Sequence, residues 1–436
     1  MSRATLWRVN DLATAYVKLV LAMGLHDADY VDAYHGPQEW RADVERERPA
    51  LHEVHQRATA LAAELDRAEP PLTCTETAGE DINRLRHTYL TRQLAALIAR
   101  AEQLQGRRFT FDEESRALYD AVSPHQSEEE LAARVSSLEQ DVPAIPGSAG
   151  ASSSAAVSLQ ERLAAYRRRF IIPPDRLDAV FAAAIDECQR RTAVHVTLPP
   201  GESFTVEQVT GKSWSGYNWY QGDFASLIQV NVDLPIFLSR ALDLAAHEGY
   251  PGHHVYNVLL ERHLVRERGW PELTVYALFS PQSLIAEGTA NFGVDVVMPP
   301  AERLAFERET LYPHAGLDAT EAERYHRIEE QVAGLTYAGN EVARRYLDGA
   351  LSAEDAAGWL ARYTLTEPER ARQRVRFIDQ YRSYVINYNL GKDLVRRHVE
   401  ARGGTPDQPG KRWEVFIELL TTPRVPSTLT APAVPT

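Results

Sequence analysis

Apolar residues recur at three- and four-residue spacing through most of this chain, which is the period of a helix buried along one face. The spacing predicts helices over 6–25, 38–66, 80–106, 111–122, 127–140, 158–171, 174–191, 236–248, 253–267, 273–297, 301–311, 318–348, 352–363 and 367–400. Ser127-Glu128-Glu129-Glu130 and Ser352-Ala353-Glu354-Asp355 have the form of capped helix starts. Alternation with period two is confined to Phe204–Thr210 and Ser226–Asp233, separated by the aromatic segment Trp214–Gly222. The pattern therefore predicts a mainly α fold with a small antiparallel β-sheet placed just before the helix at 236–248.

The same pattern suggests an organisation. Residues 1–142 form an N-terminal helical region, 143–157 (Pro, Gly, Ala and Ser) a flexible loop, 158–422 the part that carries chemistry, and 423–436, rich in Pro, Thr and Ser, a disordered tail. With 436 residues, 44% of them hydrophobic, the chain can bury a sizeable core. The formal charge of −14 argues against nucleic acid or an anionic membrane as a partner. Cys74 and Cys188 are too few for a disulfide framework and are expected as buried or incidental thiols. Lys18 interrupts the apolar run 17–25, so a leader peptide is not expected, and no apolar run reaches membrane-spanning length. A cytoplasmic protein is the default reading, and nothing in the sequence signals an oligomeric state.

The chemistry is concentrated in His247-Glu248-Gly249-Tyr250-Pro251-Gly252-His253-His254. Two His four apart on a helix, with Glu between them, hold Zn²⁺ and act on a water. Here the His spacing is six or seven. In a regular helix those pairs lie about 9 and 10.5 Å apart along the axis, too far for one ion with bonds of about 2.0–2.1 Å. The helix must therefore be interrupted, and Pro251 with Gly249 and Gly252 supplies the means. If the insert bulges by two residues, His253 replaces the usual second histidine; His254 remains the alternative.

A catalytic zinc normally takes three protein ligands. Glu287 is an acid inside the apolar segment Leu284–Val297, and a buried carboxylate needs a partner, which points to it as the third. Asn291, one turn on, is a candidate to orient a ligand imidazole. Gln229 and Asn231 are candidates to line a substrate cleft if the sheet pairs with an extended peptide.

Together with Glu287-Gly288-Thr289-Ala290 and Tyr388-Asn389-Leu390-Gly391-Lys392, the histidine segment resembles the DUF885 family of bacterial proteins. That family is similar to helical zinc peptidases of the gluzincin type, such as angiotensin-converting enzyme and the thermostable carboxypeptidases. The resemblance implies a large helical metallopeptidase-like fold, one Zn²⁺ on His247, His253 and Glu287, and Glu248 as the base. It ranks His253 above His254, whose position is the looser one in the family. Thr289 departs from the family's usual aromatic. A donor to the reaction's oxyanion is also needed, and Tyr388, in the family-like segment, is the choice ahead of Tyr384, Tyr381 and Arg374.

The expectation is a zinc-dependent metallohydrolase, a carboxypeptidase- or dipeptidase-like enzyme acting on a peptide or small amide. The alternatives are a metal-binding protein without peptidase activity and a hydrolase of non-peptide amides. Arg374, Arg376 and Arg382 are candidates for holding a substrate carboxylate.

Overall fold

A computed structural model describes residues 3–68, 81–145, 157–212 and 214–429. Its helices are α1 (Arg3–Met23), α2 (Gln38–Glu47), α3 (Leu51–Arg67), α4 (Ile82–Leu104), α5 (Phe111–Tyr119), α6 (Glu128–Ser137), α7 (Leu159–Arg167) and α8 (Leu177–His195). After the main sheet come α9 (Leu238–Leu244), α10 (His253–Leu260), α11 (Pro281–Val297), α12 (Pro300–Phe306), α13 (Tyr312–Ala315) and α14 (Ala322–Ala333). The series closes with α15 (Tyr337–Leu347), α16 (Ala353–Tyr363), α17 (Pro368–Tyr381), α18 (Ile386–Ala401), α19 (Pro409–Leu420) and α20 (Pro426–Leu429).

The mainly helical expectation holds, and the capped starts are real: Ser127 Oγ accepts from Glu130 N at 3.2 Å while Glu130 accepts from Ser127 N at 2.7 Å. Long periodic windows break where the backbone turns. The window 38–66 splits at Arg48, left-handed at φ 45°, followed by Pro49, and 367–400 splits at Arg382, at φ 51°.

Among the described residues five strands form two small sheets. β1 (Val31–Tyr34) pairs antiparallel with β5 (Val275–Ala277). β2 (Ser203–Val209), β3 (Gly216–Gly222) and β4 (Ala225–Asn231) lie in the order β2-β4-β3, with β4 antiparallel to β3 and parallel to β2. The aromatic segment taken from the sequence as a connection is thus itself the edge strand β3.

The centre of the molecule is α11. Almost every residue from Pro281 to Val297 is buried, with α10, α18 and α19 packed around it. Two glycines let α11 and α18 touch backbone to backbone: a Cβ on Gly288 would lie 2.6 Å from the Gly391 carbonyl, and one on Gly391 2.7 Å from Leu284 O.

The N-terminal region shares this core. β1 reaches across to β5, and the Arg86 guanidinium holds Glu272, buried, through two hydrogen bonds. Most of the expected flexible loop, 146–156, and Cys74 lie outside the described residues. Cys188 is a buried free thiol, as expected. The disordered-tail expectation fails for 423–429, where Arg424, Val425, Pro426 and Leu429 are buried; residues 430–436 lie outside the description. The helix α19 was missed from the sequence, although Trp413, Phe416, Leu419 and Leu420 are helically spaced and buried. No helix among the described residues is long and apolar enough to cross a membrane.

Candidate metal centre

The helix beginning at Leu238 does break where the histidine spacing requires. α9 runs into a wider π-helical turn, Ala245–Gly249, and α10 restarts at His253 after a cis Tyr250–Pro251 bond. The insert folds tightly back, with Tyr250 N donating to Ala245 O at 3.2 Å and Gly252 N to Ala246 O at 2.9 Å. Gly252 is required for space rather than for a left-handed angle, because a Cβ there would lie 1.9 Å from His247 O. This path brings His247 and His253 together, with their Nε2 atoms 3.1 Å apart.

Glu287, on α11, completes the group. Its Oε2 lies 3.4 Å from His247 Nε2 and 3.9 Å from His253 Nε2. A tetrahedral ion with bonds of about 2.0–2.1 Å holds its ligand atoms about 3.3 Å from one another, so the triangle has the size zinc needs. Glu287 Oε2 is buried and accepts no hydrogen bond, an orphan acceptor that a cation would satisfy. Among the described residues these three form the one group able to hold a metal.

His254 is not a ligand. One residue further round the helix than His253, its ring points the other way, fully buried, with Nδ1 2.8 Å from Ser226 Oγ and Nε2 2.9 Å from Glu202 Oε1. Tyr250 Oη donates to the same Glu202 oxygen. His254 therefore fastens α10 to β4 and to the segment before β2. Two substitutions separate these roles. His254→Ala should cost about 2–3 kcal/mol of unfolding free energy by stranding buried polar partners while bound zinc stays at one per chain. His253→Ala should lose the zinc. Urea unfolding and metal analysis of both variants read this directly.

Around the triangle, charge is dense. Burial pushes the Glu248 carboxyl up to about 7, helped by the Glu287 charge and opposed by His247. Burial, then the His247 charge, pushes His253 down to about 4. Burial disfavours the His247 cation, but the approach of Glu287 Oε2 at 3.4 Å and the charges of Glu248 and Glu287 outweigh that and raise its pKa. Burial disfavours the Glu287 carboxylate, yet the close approach of His247, both His charges and the Tyr384 hydrogen bond hold it below the usual range. The Glu248 carboxylate makes no hydrogen bond to any described residue; its backbone carbonyl accepts from Asn218 Nδ2 at 2.8 Å. The start of β3 passes over that carboxylate, and a Cβ on Gly216 would lie 2.9 Å from Glu248 Oε1.

The tyrosines divide their tasks. Tyr384 Oη donates to Glu287 Oε1 at 2.9 Å and so orients a ligand. The Tyr388 ring packs edge-on against Tyr384, its hydroxyl makes no hydrogen bond among the described residues, and it lies within the electrostatic reach of Glu287, Arg374 and Glu248. Tyr381 Oη accepts from Gln380 Nε2 at 3.1 Å.

Three expected site residues have other partners. Asn291 Nδ2 bonds the Glu287 backbone carbonyl at 2.8 Å and no imidazole, because a side chain four residues on reaches the helix carbonyl first. Gln229 accepts from Trp219 Nε1 at 3.0 Å and donates to Glu207, on the opposite sheet face from Ser226, Ile228 and Val230. Asn231 Nδ2 ties down the loop before β3 through the carbonyls of Lys212 and Trp214, at 2.9 and 3.0 Å. The strand residues beside Glu248 are Gly216 and Asn218 instead.

Asp32 on β1 was not foreseen. It receives the Tyr217 hydroxyl, and burial, with the Glu287 charge adding, pushes it up to about 7. Its signal, a lone Asp in Tyr30-Val31-Asp32-Ala33-Tyr34, is weak in sequence. Glu114 also acts at a distance: buried on α5, it accepts from Ser383 N at 3.0 Å and from Arg382 Nε at 2.6 Å, fixing the turn that carries Tyr384.

Fold and site together define a mainly helical protein with a buried two-histidine, one-glutamate cluster and a neighbouring free carboxylate. No family model matches the chain, and no curated protein matches it significantly. Among solved structures it is similar to a proposed lipoprotein of Colwellia psychrerythraea, with 16% identity, a TM-score of 0.50, and coverage of 87% of this chain and 68% of that one. A proposed lipoprotein of unknown function from Shewanella oneidensis matches at 13% identity and a TM-score of 0.44, over 89% of this chain and 74% of that one. The first of these likenesses establishes a shared fold. The family resemblance rests on the motif residues alone.

Proposed function

We propose that this chain is a zinc-dependent hydrolase of peptide bonds, related to the DUF885 proteins that its motifs resemble. The observation that carries this reading is a triangle of His247 Nε2, His253 Nε2 and Glu287 Oε2, sized for zinc, beside a carboxylate with no partner. Zinc bound there supplies Lewis acidity to a water and to the substrate carbonyl. Glu248 takes the proton released when the water attacks and returns it to the leaving amine. Tyr388, its hydroxyl free, donates to the oxygen on which negative charge develops. Tyr384 keeps Glu287 facing the histidines. β3, the edge strand next to Glu248, offers its backbone to an extended peptide.

A purely structural zinc site is closed by four ligands. With His254 turned away, the described residues supply three, which favours the hydrolase over the binding protein. The test is metal analysis followed by mass-spectrometric scoring of a peptide library. One zinc per chain is expected, with cleavage that stops on chelation and returns with one equivalent of Zn²⁺. A zinc-loaded protein that cleaves no peptide would end the reading.

A further inference from the structure

The site has an unbalanced cation next to it. Arg374, on α17, is half-buried, and its guanidinium lies over the rings of Phe377 and Tyr388, at 4.6 and 5.8 Å from their centroids. No hydrogen bond or ion pair from a described residue reaches it. Several guanidiniums drawn into this fold are paired, Arg86 with Glu272, Arg303 with Asp243 and Glu307, Arg344 with Asp112 and Glu341, and Arg382 with Glu114. Arg412, buried over the Phe292 ring with its Nε unpartnered, shares the condition of Arg374, but its electrostatic neighbours are Asp295, Glu400 and Arg396 rather than the triangle. Burial holds the Arg374 pKa below its ordinary value, with Tyr388 opposing, so this charge is kept at a cost.

Position gives that charge a use. Tyr388 is the platform under Arg374, Tyr384 packs against Tyr388 at 5.8 Å, and Tyr384 holds the ligand Glu287. The ionisable groups of the chain nearest the triangle include the acids Glu248, Glu287 and Asp32, and Arg374 is a cation within reach of Tyr388 that no carboxylate of the described residues pairs with. Beside Arg374 a substrate carboxylate would meet a planar fork of donors, held flat by two rings, whose geometry matches a carboxylate.

We infer that Arg374 binds the C-terminal carboxylate of the substrate, so that the site takes peptides with a free C-terminus and releases residues from that end. This deepens the peptidase reading and rests on it. Arg374 acts on binding and orientation; the proton chemistry stays with Glu248.

The test uses zinc-loaded full-length protein and two readouts. The first is calorimetric binding of a hydroxamate-capped dipeptide as the free acid, as its C-terminal amide, and as an amide whose last residue is glutamic acid. The second is kcat/KM for matched peptide acids and amides. The free acid should bind about 10–100-fold more tightly than the plain amide. Arg374→Met should abolish that preference with zinc content and amide binding unchanged, and Arg374→Lys should restore part of it. Equal binding of acid and amide by the wild type, or a preference that survives in Arg374→Met, overturns the inference. A glutamate-ended amide that binds as well as the acid also overturns it, by moving the anchor to an acidic side chain. The two readings fail separately: an acid preference in binding without any hydrolysis removes the peptidase and keeps the anchor, whereas hydrolysis of acid and amide alike does the reverse.

Discussion

Glu248→Gln is expected to lower kcat on peptide substrates by about 10²–10⁴-fold while the protein keeps one zinc per chain and its fold. The substitution is nearly isosteric and leaves the three ligand side chains untouched. What it removes is the one carboxylate near the triangle that accepts no hydrogen bond from the described residues and so has both oxygens available for a proton. An amide at that place fills the space under Gly216 but cannot accept and return a proton. KM should change little, since binding draws on β3 and Arg374 rather than on residue 248. Steady-state kinetics with metal analysis on the same samples checks this; a variant within a few-fold of wild type would show that another group carries the proton.

Gly391→Ala is expected to have the second largest effect, on stability and metal affinity together. Its new methyl would sit 2.7 Å from Leu284 O and 3.0 Å from Gly288 Cα, and these are backbone atoms that cannot rotate aside. α18 must move off α11, and overpacking of this kind costs about 1–3 kcal/mol, at times more. Tyr388, on α18, and Tyr384, in the turn that leads into it, move with that helix, away from Glu287. Loss of the Tyr384 bond to that ligand should weaken zinc binding about 10–100-fold. Denaturant unfolding and chelator competition report the two effects. Gly358→Ala on α16 is the control: nothing lies within 4 Å of its added Cβ, and helix propensity alone should stabilise it by about 0.5–1 kcal/mol. Equal behaviour of the two variants would contradict the close-contact account.

Much of the site could be read from the chain because its key elements are local. The His247–His253 spacing was incompatible with one regular helix, and the insert Gly249–Gly252 contained the residues able to interrupt it. Glu287 stood out as an acid among apolar neighbours. His254 stayed ambiguous, because adjacent helical residues differ by about 100° in direction and only the position of β4 and Glu202 decides which faces the cluster. Helical period likewise placed the long elements, while breaks such as Arg48 and Arg382 depend on tertiary packing. The parts that stayed hidden are non-local. Pairing of β2 with β4 requires β3 to lie on the far side of β4, and no alternation in sequence states that order. Gln229 and Asn231 lie on β4, the middle strand, and bond to their own sheet and loop, while β3 is the strand beside Glu248. Asp32 and Glu114 reach the site only because β1 and α5 fold against elements more than two hundred residues away.

The glycine contact between α11 and α18 also sets a timetable for the growing polypeptide. Both histidines and Glu287 leave the ribosome about a hundred residues before Tyr384, Tyr388 and Gly391, and domains generally fold as units during synthesis. A nascent chain halted between these points carries His247, His253 and Glu287 without the tyrosine that orients the carboxylate. On the hydrolase reading, competence would arrive only once α18 has been made and packed on α11.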